Sequence, residues 1–175
     1  MSMRKSLAAW LTAACIASAL AAPPGPDLGR PLAPENSPAV LASVFPDGTG
    51  LPAGEGLASR GESLFTQQCS GCHGPAGVGV GGAGPELAYA QMPLDSEFPD
   101  KTIASYWPYA TTVWDFIRRA MPMNAPGSLS GSEVYDLTAY LLMLNGLWPK
   151  EALLTREALI AIEMPNRDGF IIGPP

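Results

Sequence analysis

The sequence predicts an all-α fold of three main helices, with an extended N-terminal arm and a C-terminal tail. Three observations predict it. Val134, Leu137, Leu141 and Leu144 form an apolar stripe at helical spacing behind a Ser130-x-x-Glu133 cap. Val113, Phe116, Ile117 and Ala120 mark a second face with steps of three and four. Two stretches dense in proline and glycine set these segments apart. At 175 residues and 47% hydrophobic content, the chain suits one modest core plus extensions rather than a large enzyme.

In chain order, residues 1–21 read as a secretory signal: Arg4 and Lys5, an apolar run from Leu7 to Leu20, and Ala19 and Ala21 spaced for A-x-A cleavage. The run falls short of the ~20 residues a spanning helix needs, and Pro23, Pro24 and Pro26 follow at once, so no stable membrane anchor is expected. Cys15 is not expected to be lipidated, because Thr12 stands where a larger aliphatic residue is usual. Cleavage removes Arg4 and Lys5 but no acid, moving the formal charge from −6 to −8. So acidic a surface makes nucleic acid and anionic membrane poor partners and favours a protein with a basic docking face, unless the acids serve solubility alone.

Residues 22–58 read as an extended arm, 59–148 as the main domain and 149–175 as a C-terminal extension. The first helix is expected over Ser59–Gln68, running into Cys69. An irregular stretch from Gly74 to Pro108 follows, then a second helix over Thr111–Arg119 that Pro122 stops. The third helix begins at Ser130 and ends at Gly146. The short apolar piece Glu151–Ile162 is expected to be a helix, and Met164–Pro175 reads as extended.

The chemistry sits in Cys69-Ser70-Gly71-Cys72-His73, the C-x-x-C-H pattern of c-type haem attachment. Two thiols three residues apart on a helical turn can add to the two vinyl groups of one haem c, and the next residue can bind the iron through imidazole. After export Cys69, Cys72 and His73 are the only Cys or His left, one short of a structural zinc site. A thioredoxin-like pair needs no adjacent His and sits beside a βαβ pattern, which is missing; a plain disulfide is the remaining rival. With one His in the chain there can be one such haem, and its second axial ligand cannot be His.

Methionine is then the usual sixth ligand, and the choices are Met92, Met121, Met123, Met143 and Met164. Met143 lies beside the apolar stripe, Met164 lies far along the tail, and Met92 sits close in sequence to His73. Met121 is preferred because the following Pro122 stiffens the loop that would present its sulfur, with Met123 left open. Trp107 is the first choice to donate its indole N–H to a haem propionate, Trp114 the second, with Arg118 or Arg119 adding charge.

Beyond the attachment motif, the chain resembles the class I cytochrome c family. Gly61, Phe65 and Cys69 fall four apart as on that family's first helix, and Tyr140-Leu141 match the aromatic and aliphatic pair of its last helix. Gly84-Pro85-Glu86-Leu87 stands where the family has Gly-Pro-x-Leu. The resemblance implies that the Pro85 carbonyl accepts a hydrogen bond from the ligating His73, and that Leu87 packs on the haem edge. Phe45-Pro46-Asp47-Gly48-Thr49-Gly50-Leu51-Pro52, Trp107-Pro108-Tyr109-Ala110-Thr111-Thr112, Arg118-Arg119-Ala120-Met121-Pro122 and Met164-Pro165-Asn166-Arg167-Asp168-Gly169-Phe170 narrow the likeness to the cytochrome subunits of periplasmic sulfite dehydrogenase and sulfane dehydrogenase systems.

That likeness implies a periplasmic electron carrier, itself not an enzyme, that takes electrons from a molybdenum-containing dehydrogenase subunit and passes them to a downstream cytochrome or oxidase. It also supports Met121 as ligand. The sulfane dehydrogenase cytochrome is larger and carries two haems, so the sulfite dehydrogenase type is the better analogy for a chain with one histidine. A free-standing shuttle for another dehydrogenase or oxidase and a haem-based sensor with a labile sixth ligand stay as alternatives.

Overall fold

Two long helices cross at close range and set the frame. A computed structural model describes residues 43–81, 84–171 and 173; the expected signal segment 1–21, Cys15 and the arm up to residue 42 lie outside the described residues. In chain order the elements are β1 (Glu55–Gly56), α1 (Ala58–Gln68), α2 (Ser70–His73), a 3₁₀ turn (Pro75–Gly77), α3 (Ile103–Tyr106), α4 (Ala110–Ala120), α5 (Gly131–Leu144), β2 (Leu154–Thr155) and α6 (Arg156–Ala161). β1 and β2 pair antiparallel, Glu55 opposite Thr155 and Gly56 opposite Leu154.

Helix α5 forms for the reasons its sequence suggests. Ser130 accepts the Glu133 backbone N–H while the Glu133 carboxylate accepts the Ser130 N–H at 2.7 Å, so two orphan donors of the first turn are satisfied. That bond holds the Glu133 carboxyl below the usual carboxylate range. At the other end Gly146 adopts φ +70° and the Gly146 and Leu147 N–H groups bond back to the Met143 and Leu142 carbonyls, a Schellman closure. Between the caps, residues 134–142 are all buried.

Gly61 decides how near α1 comes to α5. A β-carbon at this position would lie 2.0 Å from the Asp136 carbonyl oxygen and 2.7 Å from the Tyr140 β-carbon. Without that side chain the backbones touch, and Phe65 packs its ring on Tyr140 at 5.4 Å between centroids. Asp136 also takes the Leu57 N–H at 2.7 Å and the Arg60 guanidinium at 3.0 Å, so α1 is capped from a different helix rather than by its own N-cap residue. Trp114 of α4 closes the third side against Tyr135 at 5.5 Å.

Several expectations are corrected. The second helix buries Val113, Trp114 and Ile117 and leaves Phe116 exposed, because the core lies one residue round the helix from the face the spacing suggested. The irregular stretch contains α3, capped by reciprocal Thr102 and Ser105 bonds. The expected helix over Glu151–Ile162 is shorter, since Leu154 and Thr155 pair as β2 and Thr155 then caps α6. Met164–Phe170 is docked rather than simply extended: Met164 is buried, Asn166 donates to the Tyr106 carbonyl at 2.7 Å, and Phe170 meets Tyr106 edge-on at 5.4 Å.

The segments either side of the helices share their core. Val44, Leu51, Leu154, Leu159 and Met164 belong to the same buried cluster as Phe65 and Trp114. Arg156 donates to the Leu51 carbonyl at 3.0 Å and the Gly48 carbonyl at 2.9 Å, and Tyr135 donates its hydroxyl to the Pro52 carbonyl at 2.7 Å. Burial pushes the Tyr135 phenol up to about 12, so it stays a donor at any ordinary pH.

Gly61→Ala is expected to cost about 2–3 kcal/mol, as overpacking against backbone does, whereas Gly131→Ala, whose β-carbon would meet nothing within 4 Å, should be neutral or slightly stabilising. Urea denaturation of the two variants measures both, and equal stabilities would refute the close crossing.

Candidate haem-binding site

Helix α1 delivers the Cys pair. Cys69 ends it with its N–H still bonded to the Phe65 carbonyl, and α2 continues from Ser70 to His73 with the Cys72 and His73 N–H groups bonded to the Cys69 carbonyl. The three residues of the motif therefore project from one short turn. Both cysteines are free thiols, Cys69 half-buried and Cys72 exposed. Burial, with a smaller contribution from Cys72, pushes the Cys69 thiol up to about 11, so it is protonated at neutral pH.

His73 is fixed by Pro85. The imidazole Nδ1 lies 2.9 Å from the Pro85 carbonyl oxygen. A carbonyl can only accept, so Nδ1 carries a proton, and in the neutral tautomer of the ring that leaves Nε2 with the lone pair. Gly84 lets this loop come so near: a β-carbon there would sit 2.6 Å from the Cys72 carbonyl oxygen and 3.2 Å from His73 Nδ1. Beyond Pro85 the chain is tied inward, with the Leu87 N–H on the Gly77 carbonyl at 2.7 Å and the Leu87 carbonyl accepting from Ile103 N–H and the Asn145 carboxamide. Leu87 is half-buried and packs against the core.

The methionines separate by environment. Met121 follows α4 directly as its C-cap, half-buried against the core, and its bond to Pro122 is cis. Met123, two residues on, is 74% exposed, and Met92 is 46% exposed. Met143 packs against the core from α5, and Met164 is buried. Trp107 ends α3, half-buried with its ring edge-on to Phe116 at 5.4 Å, so part of it is accessible. Trp114 is fully enclosed, and neither its indole N–H nor the Thr111 hydroxyl one turn earlier has a hydrogen-bond partner among the described residues. Arg118 and Arg119 both engage the buried Asp115 carboxylate on their own helix, Arg118 at 2.9 Å.

The cytochrome c family model matches residues 58–145, half of the chain. The chain belongs to the cytochrome c family. Membership implies covalent haem c and points to electron transfer rather than catalysis, and the helical architecture is that of a class I cytochrome c domain. This cytochrome is also similar to a chain of the sulfane dehydrogenase SoxCD from Paracoccus pantotrophus, with 40% identity, a TM-score of 0.74, and coverage of 83% of this chain and 71% of that one. It is 30% identical over 105 residues to the thiosulfate dehydrogenase of Psychrobacter arcticus, covering 58% of this chain and 31% of that protein. The cytochrome thus spans about a third of the length of that curated relative.

The residues present fit such a haem. Two free thiols sit on one turn, an imidazole is oriented through its Nδ1, and a half-buried thioether at Met121 is available as a soft sixth donor. Among the described residues no helix is long and apolar enough to cross a membrane. Sequence reasoning had no signal for Asn145 or for Asp136 as a cap, because each acts on a partner more than fifty residues away.

Because Cys72 is exposed and Cys69 half-buried, iodoacetamide should label Cys72 before Cys69 in the apoprotein at about pH 8, with Cys69 labelling accelerating only as the pH rises toward about 11. Fragmentation mass spectrometry of the tryptic peptide 61–101, which carries both thiols, reads the order; equal rates at both would contradict the burial difference.

Proposed function

We propose that this cytochrome is a periplasmic carrier with a single haem, which takes electrons one at a time from a molybdenum-containing, sulfur-oxidising dehydrogenase subunit of the sulfite dehydrogenase type and passes them to a downstream cytochrome or oxidase. The observation that carries the reading is the 2.9 Å bond between His73 Nδ1 and the Pro85 carbonyl. It sets the tautomer and the ring plane before any metal arrives, leaving Nε2 as the proximal donor. One histidine in the whole sequence limits the chain to one such site.

In this reading Cys69 and Cys72 form the thioether links, and Met121 supplies the sixth ligand. Met121 is favoured over Met123 because a sulfur held half-buried at a helix end loses little freedom on binding, whereas Met123 stands in solvent. Haem c, once attached, supplies a one-electron ferric/ferrous couple. Leu87 contributes apolar surface on the proximal loop and Trp107, with an accessible ring, contributes an indole donor for a propionate; both exclude water from the macrocycle's surroundings. Histidine and methionine ligation under an apolar cover favours a high reduction potential. With His73 and Met121 both holding the iron, no position would be left open for substrate, which supports carriage over sensing.

The likeness to the sulfane and thiosulfate dehydrogenases supports a sulfur compound as the ultimate electron source, and the acidic surface suits a donor with a basic docking face. Mixing oxidised holoprotein with a purified periplasmic molybdenum sulfite dehydrogenase subunit and sulfite should bleach the ferric spectrum within seconds. If thiosulfate in place of sulfite reduces the haem, the sulfur substrate is reassigned; if neither does, the sulfur reading fails.

Met121→Ala should abolish the sulfur-to-iron charge-transfer band of the oxidised protein, while Met123→Ala should leave it in place. Persistence of the band in the first variant, read by absorption spectroscopy, would move the ligand elsewhere.

A further inference from the structure

Asn145, the C-cap of α5, makes three contacts that no requirement of its own helix demands together. Its carboxamide nitrogen donates to the Leu87 carbonyl at 3.0 Å and to the Leu141 carbonyl at 2.8 Å, and its carboxamide oxygen accepts the Ala104 N–H at 3.3 Å. Only the bond to Leu141 serves the helix end. The others reach across to α3 and to the loop that carries Pro85.

That loop is poorly held on its outer side. Pro85 is exposed, has no N–H to donate, and with Glu86 borders two hollows in the surface. Just before it, Gly84 makes only a long bridge, its carbonyl accepting the Val80 N–H at 3.5 Å, and the shorter bonds begin two residues after Pro85. The Leu87 N–H bonds to the Gly77 carbonyl at 2.7 Å, and the Leu87 carbonyl accepts from both the Ile103 N–H, at 3.2 Å, and Asn145. Leu87 is therefore the point at which the Pro85 carbonyl is referred to the rest of the fold, and among the described residues Asn145 is the one side chain bonded in that knot.

We propose that Asn145 is a positioning residue for the proximal ligand: by holding the Leu87 carbonyl against the end of α5, it fixes the Pro85 carbonyl at bonding distance from His73 Nδ1. The proposal rests on His73 being the iron's proximal ligand. Hydrogen bonding at Nδ1 makes the imidazole a stronger donor at Nε2, which favours the ferric state. Releasing the loop lengthens the bond, weakens that donation and raises the reduction potential.

The test uses the holoprotein and three variants. Asn145→Ala removes the tie to Leu87, and Asn145→Gln keeps a carboxamide. Gly146→Ala, at φ +70° with open space around its β-carbon, loosens the same helix end without touching Leu87. Thermal melts, spectroelectrochemical potentials and the NMR shift of the His73 Nδ1 proton are measured for each. The expected result is a raised potential and a displaced proton resonance in Asn145→Ala, partial return in Asn145→Gln, and a lowered melting temperature alone in Gly146→Ala. An unchanged potential in Asn145→Ala, or the same shift in Gly146→Ala, overturns the proposal and leaves Asn145 a helix cap. If Asn145→Ala does not fold, Asn145→Gln decides: a smaller shift in the same direction supports it, and none overturns it. A parent protein without a low-spin haem spectrum would instead remove His73 as ligand, a separate failure.

Discussion

The close crossing of α1 and α5 at Gly61 is the constraint on which the rest depends. Gly61 lets the Asp136 backbone reach α1, and the Asp136 carboxylate then binds the Leu57 N–H and Arg60 at the start of the same helix. One short stretch of α5 thus fixes both the separation and the axial position of α1. Since α1 runs on through Cys69 into the turn bearing Cys72 and His73, the attachment residues inherit their placement from an interaction two turns away. An apolar contact alone would tolerate sliding along the axis; the charged cap does not.

The proximal side is built from weaker local material made definite by a few bonds. The segment from Gly74 to Asp100 has little regular structure, yet His73, Gly77, Pro85 and Leu87 are joined by backbone and ring hydrogen bonds. A loop of this kind can bring a carbonyl to an imidazole without a helix having to occupy the space. The other segment differs: Met121 sits where α4 ends, so its position follows from a packed helix through Val113, Trp114 and Ile117.

Much of this could be read from residues alone. The Ser130–Glu133 box and Gly146 gave both ends of α5, since capping is decided by side chains within three or four residues. The motif at Cys69–His73 and the Gly-Pro-x-Leu segment pointed to the proximal site for the same local reason. Helix α3 was not legible, because its box places Ser105 where the familiar pattern has an acid. The two-residue pairing of β1 with β2 and the docking of Asn166 on Tyr106 join segments far apart in sequence, and no short-range pattern announces them. The burial of Trp114 in place of Phe116 follows from a rotation of α4 that only its neighbours determine.

Arg156 reaches back to the carbonyls of Leu51 and Gly48, across 105 and 108 residues of chain. Contacts so distant in sequence are costly to close, because the loop they shut spans more than half of the chain. Cys69, Cys72 and His73 all lie inside that loop. Their surroundings are therefore complete only once the first and last segments of the described fold have met.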